Sequence, residues 1–194
     1  MSGIRPLGQR LRIGAALATL VLLCASTSRG QDVTEVALKA AFIYNFAKFT
    51  EWPLEVLPSA ASLTACVIGD AAVGDALQRA IKGRTVAGHS MSVSPVTADG
   101  SLQTCHLLYL SNLPAKQAAQ IAAGLRGSSV LTISDIDEFA RLGGIAQFFV
   151  ENGKMRFSIN LESAKRSRLQ LSSKLLALAA LVESADLSPA GTQD

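Results

Sequence analysis

Residue types that carry most enzyme chemistry are sparse in this sequence of 194 residues. It holds two histidines, His89 and His106. His106 lies inside an apolar run beside Cys105, where a histidine is more often a hydrogen-bonded core residue than a ligand. We find no close His/Cys/carboxylate group with metal-site spacing and no Gly-x-Ser-x-Gly nucleophile elbow. The sequence therefore predicts no catalytic residue, no metal and no cofactor, and a protein that is not an enzyme.

One glycine-containing turn is only loosely similar to a phosphate-binding loop. Residues 69–74 follow an apolar run and open a predicted helix, but they lack the G-x-G-x-x-G spacing. A plain turn with Asp70 near a helix N-terminus explains the segment better.

Residues 1–30 have the order of a secretory signal peptide. Arginines precede an apolar run at 13–25, and small or polar residues then lead to Gly30. A charged start, a short apolar stretch and a small-residue cleavage site are typical of such signals. We therefore expect export to the periplasm, with cleavage before Gln31 or, alternatively, nearer Ala25. No later segment predicts insertion into a membrane.

Removal of this segment changes the charge and the cysteine count. It contains four of the 18 basic residues and no acidic one, so 14 basic and 15 acidic residues remain. A mature chain near neutrality offers no basic surface for nucleic acid. Cys24 leaves with the signal, and Cys66 and Cys105 remain in an oxidising compartment, where disulfides persist. Two buried free thiols are the alternative.

Apolar strands alternate with helices through the first two thirds of the mature chain. Helices are predicted at 35–49, 72–81 and 115–125, and strands at 63–68, 91–96, 105–110 and 130–133. Such alternation predicts an α/β fold, a single-domain three-layer sandwich with a mostly parallel sheet and helices on both faces.

The pattern changes toward the C-terminus. Two strand-like runs, 145–150 and 155–159, flank Asn152-Gly153, which predicts a β-hairpin. Residues 161–182 are predicted to form a last helix. One domain over 31–184 and a flexible tail at 185–194 account for the mature chain.

Two aromatic segments are harder to assign to a core. One ends the first helix with the only tryptophan, and the other, Phe148-Phe149-Val150-Glu151, adjoins the hairpin. Aromatic residues beside single charges are typical of protein interfaces. We therefore expect a partner-binding patch formed by Phe49, Glu51, Trp52, Pro53, Phe149 and Glu151. A Trp52 side chain packed against the end of the sheet is the alternative.

The mature chain resembles the YfiR-like family of periplasmic proteins over almost its whole length. The matching segments are residues 37–49 with Glu51-Trp52-Pro53, residues 66–70, residues 105–111, Gly143-Gly144-Ile145, and residues 151–157 through Asn160-Leu161 to 172–176. The resemblance implies a soluble periplasmic regulator that binds the periplasmic region of an inner-membrane signalling protein. The best-known members repress a diguanylate cyclase, which lowers cyclic di-GMP and biofilm formation, and release responds to redox or envelope stress.

The resemblance also implies a disulfide between Cys66 and Cys105. The second cysteine pair that some members carry near the hairpin is absent here, so a switch based on it does not carry over. Whether the protein forms a homodimer stays open. The alternative function is a small-molecule-binding sensor coupled to another membrane receptor, such as a histidine kinase. In an α/β fold such a ligand favours the carboxyl ends of the strands.

Overall fold

The computed structural model describes residues 28–185. All but the last three residues of the expected signal peptide, and the expected tail beyond residue 185, lie outside the described residues. The chain divides into two compact units, residues 1–36 and residues 37–194. The described part of the first unit is helical from residue 28 to residue 36. The second unit contains the sheet and all the features discussed below.

Helix α1 spans Ser28–Lys48 and confirms the helix predicted at 35–49. Within the second unit its buried residues recur at helical spacing, because Ala40, Ile43 and Ala47 lie on one side of it. The helix ends where the Thr50 hydroxyl donates to the carbonyl of Phe46, 2.8 Å away. This bond satisfies a carbonyl that the last turn leaves without a helical donor.

Within residues 28–185, ten strands, four further α-helices and a short 3-10 helix at Leu102–Thr104 follow α1. The strands are β1 (Thr50–Glu51), β2 (Leu63–Ile68), β3 (Thr85–Val86), β4 (His89–Pro95), β5 (Leu107–Leu110), β6 (Leu131–Ser134), β7 (Ala146–Glu151), β8 (Lys154–Asn160), β9 (Gln170–Leu171) and β10 (Ala180–Val182). The helices are α2 (Ala71–Ile81), α3 (Ala115–Gly124), α4 (Leu161–Arg166) and α5 (Ser173–Leu176). The strands and helices predicted up to residue 133 are therefore confirmed, with bounds that shift by two residues or fewer, apart from the N-terminal limit of α1.

Eight of these strands form one sheet in the order β10-β8-β7-β6-β5-β2-β4-β3. Neighbours run parallel except in the β7–β8 and β3–β4 pairs. Strands β1 and β9 form a separate two-stranded antiparallel sheet. The mostly parallel sheet confirms the predicted fold class.

Helices cover both faces of the large sheet. On one face, the rings of Phe42 and Phe46 in α1 meet those of Phe148 and Phe157 edge to face, with centroids 5.0–5.9 Å apart. On the other face, Ala118 and Ala122 of α3 belong to a buried apolar cluster with residues of β2 and β5. The central strands are buried on both sides, which explains their unbroken apolar runs.

The predicted hairpin is confirmed. Strands β7 and β8 pair antiparallel, from Ala146 opposite Ile159 to Glu151 opposite Lys154. Between them, Asn152 and Gly153 have φ values of 51° and 70°. Positive φ at both central residues is the geometry that Asn-Gly favours in a two-residue hairpin turn.

The single helix predicted over residues 161–182 is wrong. The segment forms α4, β9, α5 and β10 instead. Arg168 takes a left-handed φ of 56°, which ends the helical path, and the next residue, Leu169, is buried. Gln170 and Leu171 then pair with Glu51 and Thr50. Spaced leucines suggested one helix, but Leu169 and Leu175 are buried whereas Leu178 and Leu181 are exposed, which does not follow one helical face.

Candidate functional site

The switch point at the carboxyl ends of the parallel strands, where α/β folds usually bind ligands, is closed. From β2 the chain moves to β4 on one side and then returns to β5 on the other, so the switch point lies between β2 and β5. The Asn112 side chain there donates to the Gly69 carbonyl, 2.7 Å away. Gly69 has a φ of 83°, and a Cβ at this position would collide with the carbonyl oxygen of Ser111. The two loops are therefore in direct contact across the switch point.

A cluster around Asp135 occupies the same edge, next to β6. The Lys39 ammonium and the hydroxyls of Tyr109 and Ser111 all donate to Oδ2 of Asp135, at 2.7, 2.9 and 3.1 Å. Burial, and next the negative charge of Asp135, raise the pKa of the Tyr109 phenol, so the phenol stays protonated as a donor. Only 14% of the Lys39 side chain and 19% of the Asp135 side chain are exposed. The cluster joins α1 to the sheet.

At the amino edge of the sheet, His106 is a structural residue. Its Nδ1 accepts a hydrogen bond from the Thr64 amide, 3.0 Å away. Its Nε2 lies 3.2 Å from the Val56 carbonyl, to which only a protonated nitrogen can donate. Both ring nitrogens therefore have partners within the chain, in keeping with the hydrogen-bonded structural role expected for His106.

The segment between β1 and β2 forms a groove at this edge. The Trp52 indole donates from Nε1 to the carbonyl of His106, 3.0 Å away, and its ring is half-buried. The groove has a volume of about 460 Å³. Its lining residues are Thr50, Glu51, Trp52, Pro53, Leu54, Leu57, Val86, Ala87, His89, Arg168 and Gln170. We call it the Trp52 groove.

The Trp52 groove combines an apolar anchor with charges at its rim. Leu54 is 74% exposed, although Leu57 three residues later is buried. Arg168 pairs with Glu55, with 2.7 Å between Nη1 and Oε1. Because both of these side chains are more than half exposed, the pair is free to exchange its partners with a bound molecule at little cost.

Two residues that line the groove have a strained backbone. Ala87 and Arg168 adopt φ values of 49° and 56° without being glycine. Such conformations cost of order 1–3 kcal/mol each and cluster at functional sites. Within residues 28–185, Asn112, Glu138 and Asn152 also have positive φ, so the strain accompanies the exposed leucine here but is not confined to this groove.

The structure separates the two halves of the predicted partner-binding patch. Glu51, Trp52 and Pro53 line the Trp52 groove, and Phe49 lies next to it, where its carbonyl accepts from the Ser172 amide at 2.9 Å. Phe149 and Glu151 lie in β7, beyond the carboxyl end of its parallel neighbour β6.

The strand register gives the separation. His106 precedes Tyr109 by three residues, Tyr109 is level with Ala146, and Phe149 follows Ala146 by three more. At about 3.3 Å per residue, the hairpin side chains are ~20 Å from the level of Trp52 along the strands. Phe149 is half-buried, and exposed Glu151 pairs with Arg156, with 3.4 Å between the atoms.

Two contributors to the Trp52 groove were missed from the sequence. Leu54 follows Pro53 directly, and an apolar residue beside a tryptophan and a proline in a loop is a signal that could have been used. Arg168 comes from the segment that was predicted as an uninterrupted helix, so nothing in its spacing linked it to residues 51–55.

The disulfide implied by the resemblance is present. Cys66 and Cys105 are bonded, with their Cα atoms 5.8 Å apart, inside the buried cluster beneath α3. Cys105 immediately precedes His106, whose carbonyl holds Trp52. The bridge therefore attaches the segment behind the groove to the central strand β2.

The fold and its bridge define a three-layer α/β domain held by one disulfide. The model of the YfiR/HmsC-like family matches residues 36–180, and the chain belongs to this family. It is a family of periplasmic regulators of diguanylate cyclase signalling, and its members act without catalysis. In the described part of the chain, no helix is long and apolar enough to span a bilayer.

Proposed function

We propose that this protein is a periplasmic repressor that binds the periplasmic region of a membrane-bound diguanylate cyclase through the Trp52 groove. Binding holds the cyclase inactive, which lowers cyclic di-GMP and limits biofilm formation. Membership of the YfiR/HmsC-like family supports the regulatory role. The observation that carries the choice of site is the exposed Leu54 beside half-buried Trp52 and Pro53.

The chemistry of the groove suits a protein partner. Interfaces place aromatic and aliphatic anchors in their centre and polar groups at their rim. Trp52 and Leu54 supply the anchors, while Glu51 and Arg168 supply rim charges. Full burial of one leucine side chain is worth about 1.5–3 kcal/mol. Burial of the exposed Leu54 side chain against a partner would therefore contribute to the free energy of binding.

A small-molecule sensor coupled to a receptor such as a histidine kinase is the second candidate. The groove volume of about 460 Å³ falls within the usual range of ligand pockets and favours this candidate. Closure of the switch point by Gly69, Ser111 and Asn112 supports the repressor instead, because the usual ligand crevice of this fold is filled.

The proposal includes export through residues 1–30. Mass spectrometry of periplasmic material is expected to give a mature N-terminus near Gln31. Recovery of the full-length precursor from the cytoplasm would contradict this part of the proposal.

The test uses membranes that contain the full-length cyclase, identified by pull-down with the tagged protein and mass spectrometry. Cyclic di-GMP synthesis is measured with increasing amounts of the wild-type protein and of the Leu54→Ala variant. Loss of a central anchor is expected to raise the half-inhibitory concentration roughly tenfold or more. Leu178→Ala is the matched control, because Leu178 is 72% exposed but does not line the groove.

Comparison of cyclase inhibition by the Leu54→Ala and Leu178→Ala variants tests whether the Trp52 groove binds the cyclase. Equal inhibition by both variants and the wild type would remove the Trp52 groove from the interface. No inhibition by the wild-type protein, together with a small molecule that co-purifies in the groove, would favour the sensor. Phe149→Ala examines the hairpin: weaker inhibition would extend the contact to Phe149 and Glu151, and unchanged inhibition would confine it to the groove.

A further inference from the structure

A second groove lies between helix α2 and strand β4. Its volume is about 450 Å³, and we call it the β4-edge groove. One wall is a single stripe of α2, formed by Ala71, Gly74, Asp75 and Gln78. The apolar part of its lining consists of Val67, Val93, Pro95 and Val96. The groove shares no lining residue with the Trp52 groove.

Strand β4 is an open edge of the sheet beside this groove. Strand β2 pairs with β4 from Met91 to Pro95. On the other side, β3 pairs only with His89 and Ser90. Within residues 28–185, no strand covers the outer side of β4 from Met91 onward. An uncovered strand edge presents main-chain donors and acceptors to which another strand can pair.

The direction of the main-chain groups supports this description. The Val96 amide donates to the Val67 carbonyl of β2, 3.1 Å away. Because main-chain groups alternate in direction along a strand, those of Val93 and Pro95 point away from β2. Proline lacks an N–H group and is tolerated in a sheet where its nitrogen faces outward, as at Pro95. The amide and carbonyl of Val93 and the carbonyl of Pro95 therefore face the uncovered side.

The side chains at this edge share a face with α2. Val93 is level with Ala65, and Pro95 is level with Val67. Val67 is in turn the nearest neighbour of Gly74 in α2, since a Cβ at Gly74 would lie 3.8 Å from it. A strand added beside β4 would therefore direct every second side chain toward the α2 stripe.

The charge of the groove selects its occupant. Asp70 and Asp75 are the charged residues of the lining, and no lysine or arginine is among them. Asp75 is exposed, and Asp70 caps α2 by accepting from the Val73 amide at 3.0 Å. Two carboxylates beside an apolar floor are complementary to a segment that alternates apolar and basic side chains.

We propose that the β4-edge groove binds an extended, positively charged segment of a partner protein by strand addition to β4. The apolar side chains of the segment face Val67 and Val93, and a lysine or arginine meets Asp75. Main-chain hydrogen bonds to Val93 provide affinity that is independent of sequence, and the groove provides selectivity. This site is separate from the one assigned to the cyclase.

The probe is a short, fluorescently labelled peptide of alternating valine and lysine, titrated with the full-length purified protein. Matched peptides replace lysine with glutamate, or carry N-methyl groups that remove main-chain donors. The lysine peptide is expected to bind and to shift the amide NMR signals of Met91–Pro95 and α2. The glutamate and N-methyl peptides are each expected to bind roughly tenfold or more weakly.

Two protein variants complete the test. Asp75→Lys reverses an exposed charge and is expected to weaken binding of the lysine peptide by about tenfold. Glu183→Lys is the matched control, since exposed Glu183 follows β10 at the opposite edge of the sheet. It is expected to bind the peptide like the wild type.

Three results would overturn the proposal. They are equal binding of the lysine and glutamate peptides, NMR shifts that avoid β4, and equal losses in the Asp75→Lys and Glu183→Lys variants. Concentration-dependent self-association with shifts at β4 would assign the edge to a second copy of this chain instead. Cyclase inhibition by the Leu54→Ala and Leu178→Ala variants is measured separately. The peptide-binding proposal and the proposed repressor function can therefore be refuted independently.

Discussion

The two ends of the parallel sheet differ in how their polar groups are used. At the carboxyl end, Lys39, Tyr109 and Ser111 converge on one oxygen of Asp135, and Asn112 joins the neighbouring loops. At the amino end, the Trp52 indole makes one bond, while Leu54 stays exposed. The polar groups around the switch point at the first end are hydrogen-bonded within the chain, whereas the second end exposes apolar surface in the Trp52 groove.

This difference shows how a common fold can lose its usual binding site. Doubly wound sheets bind ligands at the carboxyl ends of their strands because the loops separate at the switch point. In this protein those loops are in contact and a nearly buried ion pair lies beside them. Exposed apolar surface occurs instead in the Trp52 groove at the amino end and in the β4-edge groove.

The disulfide gives the largest expected effect and tests whether the amino end depends on the core. It closes a loop with a sequence separation of 39 residues. In the chain-entropy model, reduction is expected to lower the free energy of unfolding by about 3–4 kcal/mol. Urea unfolding with and without reductant measures this loss, and a variant with alanine at both Cys66 and Cys105 is the control that reductant must leave unchanged. Identical unfolding curves for the reduced and oxidised wild type would contradict the prediction.

The hydrogen bond from Tyr109 to Asp135 predicts that the free energy of unfolding depends on pH. The pKa of Tyr109 is raised by burial and by Asp135, so the folded state keeps the phenolic proton at a pH where the unfolded chain loses it. This contribution is present in full below the unfolded pKa of about 10 and is lost as the pH rises above it. The expected loss is at most about 1.4 kcal/mol per pH unit.

Tyr109→Phe separates this effect from that of other groups. The variant lacks the titrating phenol, so its free energy of unfolding is expected to fall less steeply above pH ~10 than that of the wild type. Urea unfolding at a series of pH values provides the comparison. Parallel curves for the two proteins would show that the Tyr109–Asp135 contact does not couple to proton binding.

The sequence predicted the strands of the sheet better than the contacts at either of its ends. Fully apolar runs such as Leu107–Leu110 identify central strands, because burial on both faces leaves no position for polar residues. The Asn-Gly pair fixed the hairpin, since few residues tolerate two successive positive φ angles. The disulfide pairing followed from the family resemblance and not from spacing.

The Trp52 groove is built from short segments that are distant in the sequence. Such short segments have no periodic hydrophobic pattern from which their contacts could be predicted. Strands β1 and β9 have two residues each and pair across more than a hundred residues of chain. Arg168 reaches Glu55 only because its own left-handed φ interrupts the predicted helix. Local patterns could mark Trp52 as unusual, but they could not place it at the opposite end of the sheet from Phe149.

The smallest expected change in the free energy of unfolding comes from loss of the single hydrogen bond of Trp52. Two variants of this residue distinguish its structural role from its role in binding. Trp52→Phe keeps an aromatic ring in the groove but leaves the His106 carbonyl without the indole donor. We expect a loss of about 1 kcal/mol in the free energy of unfolding, the usual net value of one such bond. Trp52→Ala also removes the ring. Because the ring is only half-buried, we expect the free energy of unfolding to fall by less than the roughly 3–5 kcal/mol that a fully buried tryptophan costs.

Thermal and urea unfolding measure the stability of both Trp52 variants, and cyclase inhibition is measured in parallel. If Trp52 is an anchor, the phenylalanine variant inhibits nearly as well as the wild type and the alanine variant does not. Equal inhibition by both variants, with a large loss of stability in each, would show that Trp52 only packs against the end of the sheet. Leu54 would then be the anchor of the interface.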